Sequence, residues 1–203
     1  VLASAGESLA TADPPTREIL AGEIRTATRR LNRLVNNLLD QTRLESGALK
    51  PRLDWCDAHD LVNAALEGVR DSLAGHPFES SVPPELPLFR ADFALMEHVI
   101  ANLLLNAALH TPAGAPIFLA AGHDRARARI FFTVADRGPG LPPAMRDRLF
   151  QKFQRGDAAR AGGLGLGLSI IRGFVVAQGG EIVAGENPGG GAVFTVYLPF
   201  TPH

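Results

Sequence analysis

Hydrophobic positions along the chain change their spacing several times, and each change marks an element. From Thr16 to Ser46 the period is helical: Ile24, Leu31 and Leu38 recur every seven residues, Ala27 and Leu34 interleave, and Val35, Leu39 and Thr42 widen the stripe. Such a seam belongs to a coiled coil or helical bundle, and its width asks for more than one neighbour. Thr16, after the break Ala12–Pro15, suits the N-cap, and Gly47 the stop. Val1–Leu9 reads as the last turns of a preceding helix. Lys50–Asp57 is an extended connector, and Asp57 caps a helix to about Ser72 with Leu61, Val62, Ala65, Leu66 and Val69 inward. Phe78–Val82 and Leu86–Arg90 are predicted strands around Pro83 and Pro84. A further helix, about Ala91 to Thr111, buries a stripe of Leu95, Val99, Leu103 and Leu104. Ile117–His123 and Arg127–Ala135 alternate as a hairpin across Asp124–Ala126, with Arg125, Arg127 and Arg129 on its solvent side. Pro142–Phe150 predicts a short helix, Gln151–Gly163 a mobile connection, Gly163–Gln178 a glycine-led helix, and Glu181–Glu186 with Ala192–Leu198 a final hairpin. Hairpins interleaved with helices predict a two-layer α/β (α+β) sandwich on a largely antiparallel or mixed sheet.

Composition narrows the class. The 203 residues suit one large domain with an appendage, and 46% hydrophobic with 20% charged residues is a globular composition. A formal net charge of -1 gives no reason to expect nucleic acid as a partner. The single cysteine, Cys56, allows no internal disulfide, fits a reducing compartment and reads as a small packing residue. No apolar run approaches 18 residues, so no membrane-spanning segment is expected, and no signal peptide is recognisable. The chain starts without Met and in mid-pattern, as an excised piece of a longer protein would.

Four stretches carry candidate chemistry. In NLLLNAALHTP, Asn102 and Asn106 lie four apart and share a helix face. Their amides are either satisfied locally or supply an oxygen to a hydrated Mg²⁺ held by a nucleotide, a cation that takes few protein ligands. In DRGPG, Asp136 ends a strand and can accept from an exocyclic amine, with no side chain at Gly138 or Gly140 to block a ring; a capped turn is the plainer reading. In LFQKFQR, two phenylalanines anchor a segment from which Lys152 and Arg155 can reach a phosphate. In GLGLGL, Gly163, Leu164, Gly165, Leu166, Gly167 and Leu168 lead into a helix whose first N–H groups suit phosphate or form a hinge. No GK[ST] follows, so it is not a Walker loop.

Taken together and in this order, the four stretches resemble the ATP-binding domain of sensor histidine kinases, in the superfamily shared with gyrase, Hsp90 and MutL. NLLLNAALHTP is similar to the N box, DRGPG to the first glycine box, LFQKF to the F box and GLGLGL to the second glycine box. RLVNNLLDQTRLESGAL resembles the second helix of the dimerisation and phosphotransfer hairpin. With GLPPAMRDRLFQKFQRGD it points in particular to the potassium-responsive KdpD-type sensor kinases. The resemblance implies a Bergerat-type ATP-binding fold with helices on one face. It implies part of the hairpin at 1–54 and the catalytic domain at 55–203. Asn106 would hold Mg²⁺ and Asn102 would sit beside the phosphates, as the catalytic pair. Asp136 would bind the adenine amine, Gly138 and Gly140 would shape the pocket, and the glycine run with Lys152 and Arg155 would meet the triphosphate. The implied partners are ATP, a histidine-bearing helix of the same or a partner protomer in a homodimer, and a response regulator. The implied location is the cytoplasmic part of a membrane-anchored protein.

Two departures qualify this expectation, and a third residue favours transfer to a histidine over hydrolysis. Where the family places Lys or Arg three residues after the Mg²⁺ asparagine stands Leu109, followed by His110 as a partial substitute. Where its closing strand often carries Thr stands Ala192. The ATPase members have a general-base Glu one turn before that asparagine; here it is Asn102, which cannot activate water. None of His59, His76, His98, His110, His123 and His203 sits in the phosphoacceptor pattern H-[DE]-x-[RK]-x-P, so the acceptor is expected outside this chain. The alternatives are a degenerate, non-catalytic regulatory module and a superfamily ATPase.

Overall fold

The structure, a computed structural model, describes residues 13–141, 148–151 and 167–201. The expectations for Val1–Leu9, for 142–147 of the predicted short helix, and for Lys152, Arg155, Gly163, Leu164, Gly165 and Leu166 lie outside those residues. The chain divides into two compact units, 1–42 and 43–203.

Helix α1 (Pro14–Glu45) begins two residues earlier than expected. Arg17 N–H donates to Asp13 C=O at 2.9 Å, so Thr16 lies inside the first turn instead of capping it. Two prolines at a helix start account for this, since their φ is preset for the first turn and their missing N–H costs nothing there. Ile19, Leu31, Val35, Leu38 and Leu39 are exposed along the part of α1 in the first unit.

The second unit begins at Arg43, ahead of the expected boundary after residue 54, and Leu44 and Leu49 pack on its core. β1 (Asp54–Cys56) arises within the expected connector and pairs antiparallel with β3 (Phe89–Ala91). Asp57 caps α2 (Ala58–Leu73) as predicted, accepting from the N–H groups of His59 and Asp60. β2 (Phe78–Ser81) precedes β3, and α3 (Phe93–His110) follows it. The predicted start of α3 at Ala91 is corrected: Ala91 ends β3, and Asp92 is the cap, its carboxylate accepting from Leu95 N–H at 3.1 Å.

β4 (Ile117–Asp124) and β5 (Arg129–Asp136) form the central hairpin; α4 (Gly167–Ala177), β6 (Glu181–Glu186) and β7 (Ala192–Pro199) complete the fold. The main sheet runs β2-β4-β5-β7-β6, with β2 parallel to β4 and the other neighbours antiparallel. Alternate positions are buried: Ile117, Leu119 and Ala121 on β4, Ile130, Phe132, Val134 and Asp136 on β5, Phe194, Val196 and Leu198 on β7. They meet α2, α3 and α4 in one core, so the expected two-layer sandwich on a mixed sheet is what forms.

The buried stripe of α3 is wider than predicted. Met96, Ile100 and Ala107 join Val99, Leu103 and Leu104, while Leu95 is half-buried. Each large apolar residue buried this way contributes about 1.5–3 kcal/mol. By length and composition alone α3 would also pass for a membrane span; here it is the central core helix. Arg129 lies on the expected solvent face of the hairpin, opposite the buried Ile130, but it is not isolated there. It is half-buried, between Asp124 at 3.6 Å and Glu181 at 3.5 Å, with its guanidinium 4.1 Å from the Tyr197 ring centroid. The register explains this, since Arg129 faces Pro199 and Glu181 faces Tyr197 across adjacent strand pairs. Cys56 is buried against β3, and burial pushes its thiol pKa up, as fits a packing residue.

Candidate functional site

The site forms where β5 ends. Asp136 is the last residue of β5 and is buried. A buried carboxylate needs donors, and this one has two: its Oδ1 accepts from Gly138 N–H at 2.7 Å and from Ala192 N–H at 3.1 Å. Its Oδ2 has no partner among the described residues. Asn187 Nδ2 also donates to the Asp136 carbonyl at 2.8 Å. The carboxylate is thus held by backbone on one oxygen and left able to accept on the other.

Two close approaches set this geometry. A Cβ on Gly138 would lie 2.9 Å from the His110 carbonyl, 3.0 Å from Asp136 Oδ1 and 3.4 Å from Thr111 Cα. The turn after β5 therefore lies against the C-terminal end of α3, which is possible only without a side chain at 138. On the other side Gly191, at φ +98°, presses on the Asp136 carbonyl, where any Cβ would overlap. Gly140 adopts φ +77°, which favours glycine. Arg137 ties the turn to the last hairpin by donating to Pro188 C=O and lying over Phe118.

Asn102 and Asn106 are both half-buried on α3. Asn102 Nδ2 donates to His98 C=O at 2.9 Å, which leaves its carbonyl oxygen free to accept; the Asn106 amide has no hydrogen-bond partner among the described residues. Leu109 and His110, one turn further, are exposed. Helix α4 runs antiparallel beside α3. Asp92 N–H at the head of α3 donates to Gln178 Oε1 just past α4 at 2.7 Å, and the His98 and Phe174 rings meet edge-on at 5.4 Å. Continuing that alignment brings the first turn of α4, with Gly167 and Leu168 half-buried, alongside the stretch of α3 that carries Asn102. Gly173 lets α4 seat under Leu44, whose methyl would lie 2.6 Å from a Cβ there.

Of the residues expected at the site, the structure brings Asp136, Gly138 and Gly140 together with His110 at the end of α3; Asn106 and Asn102 lie one and two turns back along α3, and Gly167 and Leu168 begin the neighbouring helix α4. Sequence reading missed Thr111, Asn187, Gly191 and the Ala192 N–H. The run Gly189–Gly191 after an Asn was the available signal, because consecutive glycines ahead of a strand mark backbone that something approaches closely. Among the described residues no three His, Cys, Asp or Glu side chains gather as a metal cluster. A single carboxamide oxygen at Asn106 suits a hydrated Mg²⁺ carried by phosphates, which needs few protein ligands.

Residues 91–202 match the family described as histidine kinase-, DNA gyrase B-, and HSP90-like ATPase, and the chain belongs to that family. It is 40% identical over 180 residues to the sensor protein KdpD of Escherichia coli, covering 88% of this chain and 20% of that protein. It is 36% identical over 198 residues to sensor protein KdpD of Mycobacterium tuberculosis, covering 95% of this chain and 22% of that protein. The fold matches the crystal structure of full-length ShkA in complex with AMPPNP at a TM-score of 0.78 and 30% identity, over 94% of this chain and 40% of that one. The chain spans about a fifth of the length of these KdpD relatives.

Proposed function

We propose that this chain is the ATP-binding kinase part of a two-component sensor histidine kinase. It passes the γ-phosphoryl group of ATP to a histidine outside this sequence, for onward transfer to a response-regulator aspartate. The observation that carries the reading is Asp136, with one oxygen fixed by two backbone N–H groups and the other uncommitted, at a turn braced by the asparagine-bearing helix. A carboxylate held this way accepts from the adenine amine at no reorganisation cost. Asn106 would hold Mg²⁺ by its amide oxygen, with Asn102 beside the phosphates; the ion neutralises phosphate charge when bound. Gly167 and Leu168 open the helix that meets the phosphates, together with Lys152, Arg155 and the glycines before it, and His110 lies at the rim.

In the transfer, a histidine ring nitrogen forms a bond to the γ-phosphorus while the bond to the β–γ bridging oxygen breaks, and ADP leaves with that oxygen. The protein's contribution is alignment and charge stabilisation. Asn102 stands where a water-activating carboxylate would be needed for hydrolysis, which favours transfer over ATPase turnover. Helix α1, with its exposed apolar row, is assigned to the dimerisation hairpin of a membrane-anchored homodimer.

The test has two arms. ATP with Mg²⁺ should raise the unfolding temperature of the chain, since a ligand bound only by the folded state stabilises it. A separately produced first hairpin helix bearing the histidine should then acquire phosphate from ATP, with little free phosphate released. Binding without transfer would favour a regulatory module, and steady phosphate release an ATPase.

A further inference from the structure

The ladder between β5 and β7 ends at Ala135–Val193, one residue short of Asp136. Asp136 is still paired with Ile117 of β4 on its other edge, but on the β7 side it has no strand partner. There its carbonyl is met by a side chain: Asn187 Nδ2, from the loop between β6 and β7, donates to it at 2.8 Å. That loop places Asn187 through its own backbone. Asn187 N–H donates to Gly191 C=O at 3.0 Å, and Asn187 C=O accepts from Gly190 N–H at 2.9 Å, so residues 187–191 form one closed turn. Arg137 crosses in the opposite direction, donating to Pro188 C=O with its guanidinium against Gly189. Asp136 is bracketed by two side chains, each reaching from one segment to a carbonyl of the other.

Among the described residues, the other hydrogen bond between Asp136 and the start of β7 comes from Ala192 N–H, and it ends on the carboxylate itself, at Oδ1. Without Asn187, the carboxylate that must be aimed at a ligand would also have to hold its own backbone in place. With Asn187, separate donors hold the carbonyl and the carboxylate, and Oδ2 keeps one direction. Direction decides strength here, since a hydrogen bond weakens steeply once its angle falls below about 120°. The group at position 187 must be a donor, because the carbonyl opposite can only accept.

Resting on the nucleotide reading above, we infer that Asn187 is a positioning residue for base selection. It acts through Asp136: by fixing the carbonyl it fixes the angle at which Oδ2 meets the exocyclic amine. It thereby sets how strongly an aminopurine is preferred over a purine that lacks the amine.

The experiment is calorimetric titration of the full chain with Mg²⁺–ADP and with Mg²⁺–purine riboside diphosphate, which carries hydrogen in place of the amine. Wild type, Asn187→Ala and Asn187→Asp are compared. Wild type should prefer ADP by about 30-fold. Asn187→Ala should bind ADP about tenfold more weakly and the purine analogue as well as wild type does, so that the preference falls to about threefold. Asn187→Asp has the same shape but sets an oxygen against the Asp136 carbonyl, and should lose at least as much preference. Its added charge repels both diphosphates alike, so the ratio of affinities stays the readout. Asn187→Ala should unfold within about 4 °C of wild type, the scale of one lost hydrogen bond in a chain of this size. A purely structural role for Asn187 would weaken both nucleotides equally or neither. An unchanged preference in the two variants therefore overturns the inference while leaving the nucleotide reading intact. Wild type that binds neither nucleotide, or binds both alike, overturns the inference together with the reading of Asp136.

Discussion

The two sides of the site are built by opposite means. At the end of β5, position is dictated by backbone: Asp136 takes N–H groups from Gly138 and Ala192, Asn187 holds its carbonyl, and Gly138 and Gly191 allow main chain to touch main chain. Along α3 the corresponding groups are side chains with spare capacity: the Asn106 amide has no described partner, and Leu109 and His110 face outward. A rigid acceptor suits a flat base whose amine must be met at one angle. Looser amides suit a hydrated cation and phosphates, which bring their own geometry. The contrast predicts that changes on the β5 side alter both fold and binding, whereas changes on α3 alter binding alone.

The largest effect is expected at Asp136. Asp136→Asn keeps an oxygen for the two backbone donors but turns the free position into an N–H donor facing another donor. Nucleotide affinity should fall by about 100-fold or more, measured by calorimetry, with a smaller loss of stability. Equal affinity in wild type and variant would remove the base-binding role from this turn. Next is Gly191→Ala, which combines an unfavourable φ with overlap on the Asp136 carbonyl. It should cost more than about 2 kcal/mol in denaturant unfolding, with the midpoint shifted and the slope unchanged. A neutral result would show that the hairpin yields there, and that the β5 side is less rigid than its contacts imply.

Asn106→Ala sharpens the comparison from the other side. With no described hydrogen bond to lose, the variant should unfold within about 0.5 kcal/mol of wild type. Its ATP affinity should drop by about tenfold in Mg²⁺ and change little in EDTA. A loss of the same size without the metal would place Asn106 on the nucleotide and not on the ion.

Much of this was readable from the residues, for identifiable reasons. Alternation at Ile117–Ala135 and Ala192–Leu198 fixed strands that bury one face, and Asp57 declared its cap by its place before an apolar run. The core of α3 was underestimated because Met96 and Ile100 lie off the narrow stripe; a helix central to a sandwich is covered on more than one side. Arg129 lies on the expected solvent face, but its partners there, Glu181 and Tyr197, were not foreseen because they come from strands distant in sequence. The same blindness hid half the site. Asn102, Asp136 and the glycine run sit in recognisable local patterns, but Gly191, Asn187 and Thr111 gain their meaning only when β7 and the end of α3 close on one turn. A local reading gives no sign that Gly191 touches Asp136.

The smallest predicted change tests the residue that departs most from the family resemblance. Leu109 is 52% exposed, one turn after Asn106 and two after Asn102, at the position where the family resemblance puts a cation against phosphate. An exposed leucine gives up little packing, so Leu109→Lys should leave the unfolding temperature nearly unchanged. A solvent-screened ammonium beside a triphosphate is worth on the order of 1 kcal/mol. ATP affinity should therefore rise by about three- to tenfold at low ionic strength, with a smaller gain for ADP and much of the gain lost in high salt. That selectivity for the longer phosphate chain would place the outward end of α3 against the γ-phosphate. An equal gain for ADP and ATP would instead place it nearer the base, and would blur the division of labour between the two sides of the site.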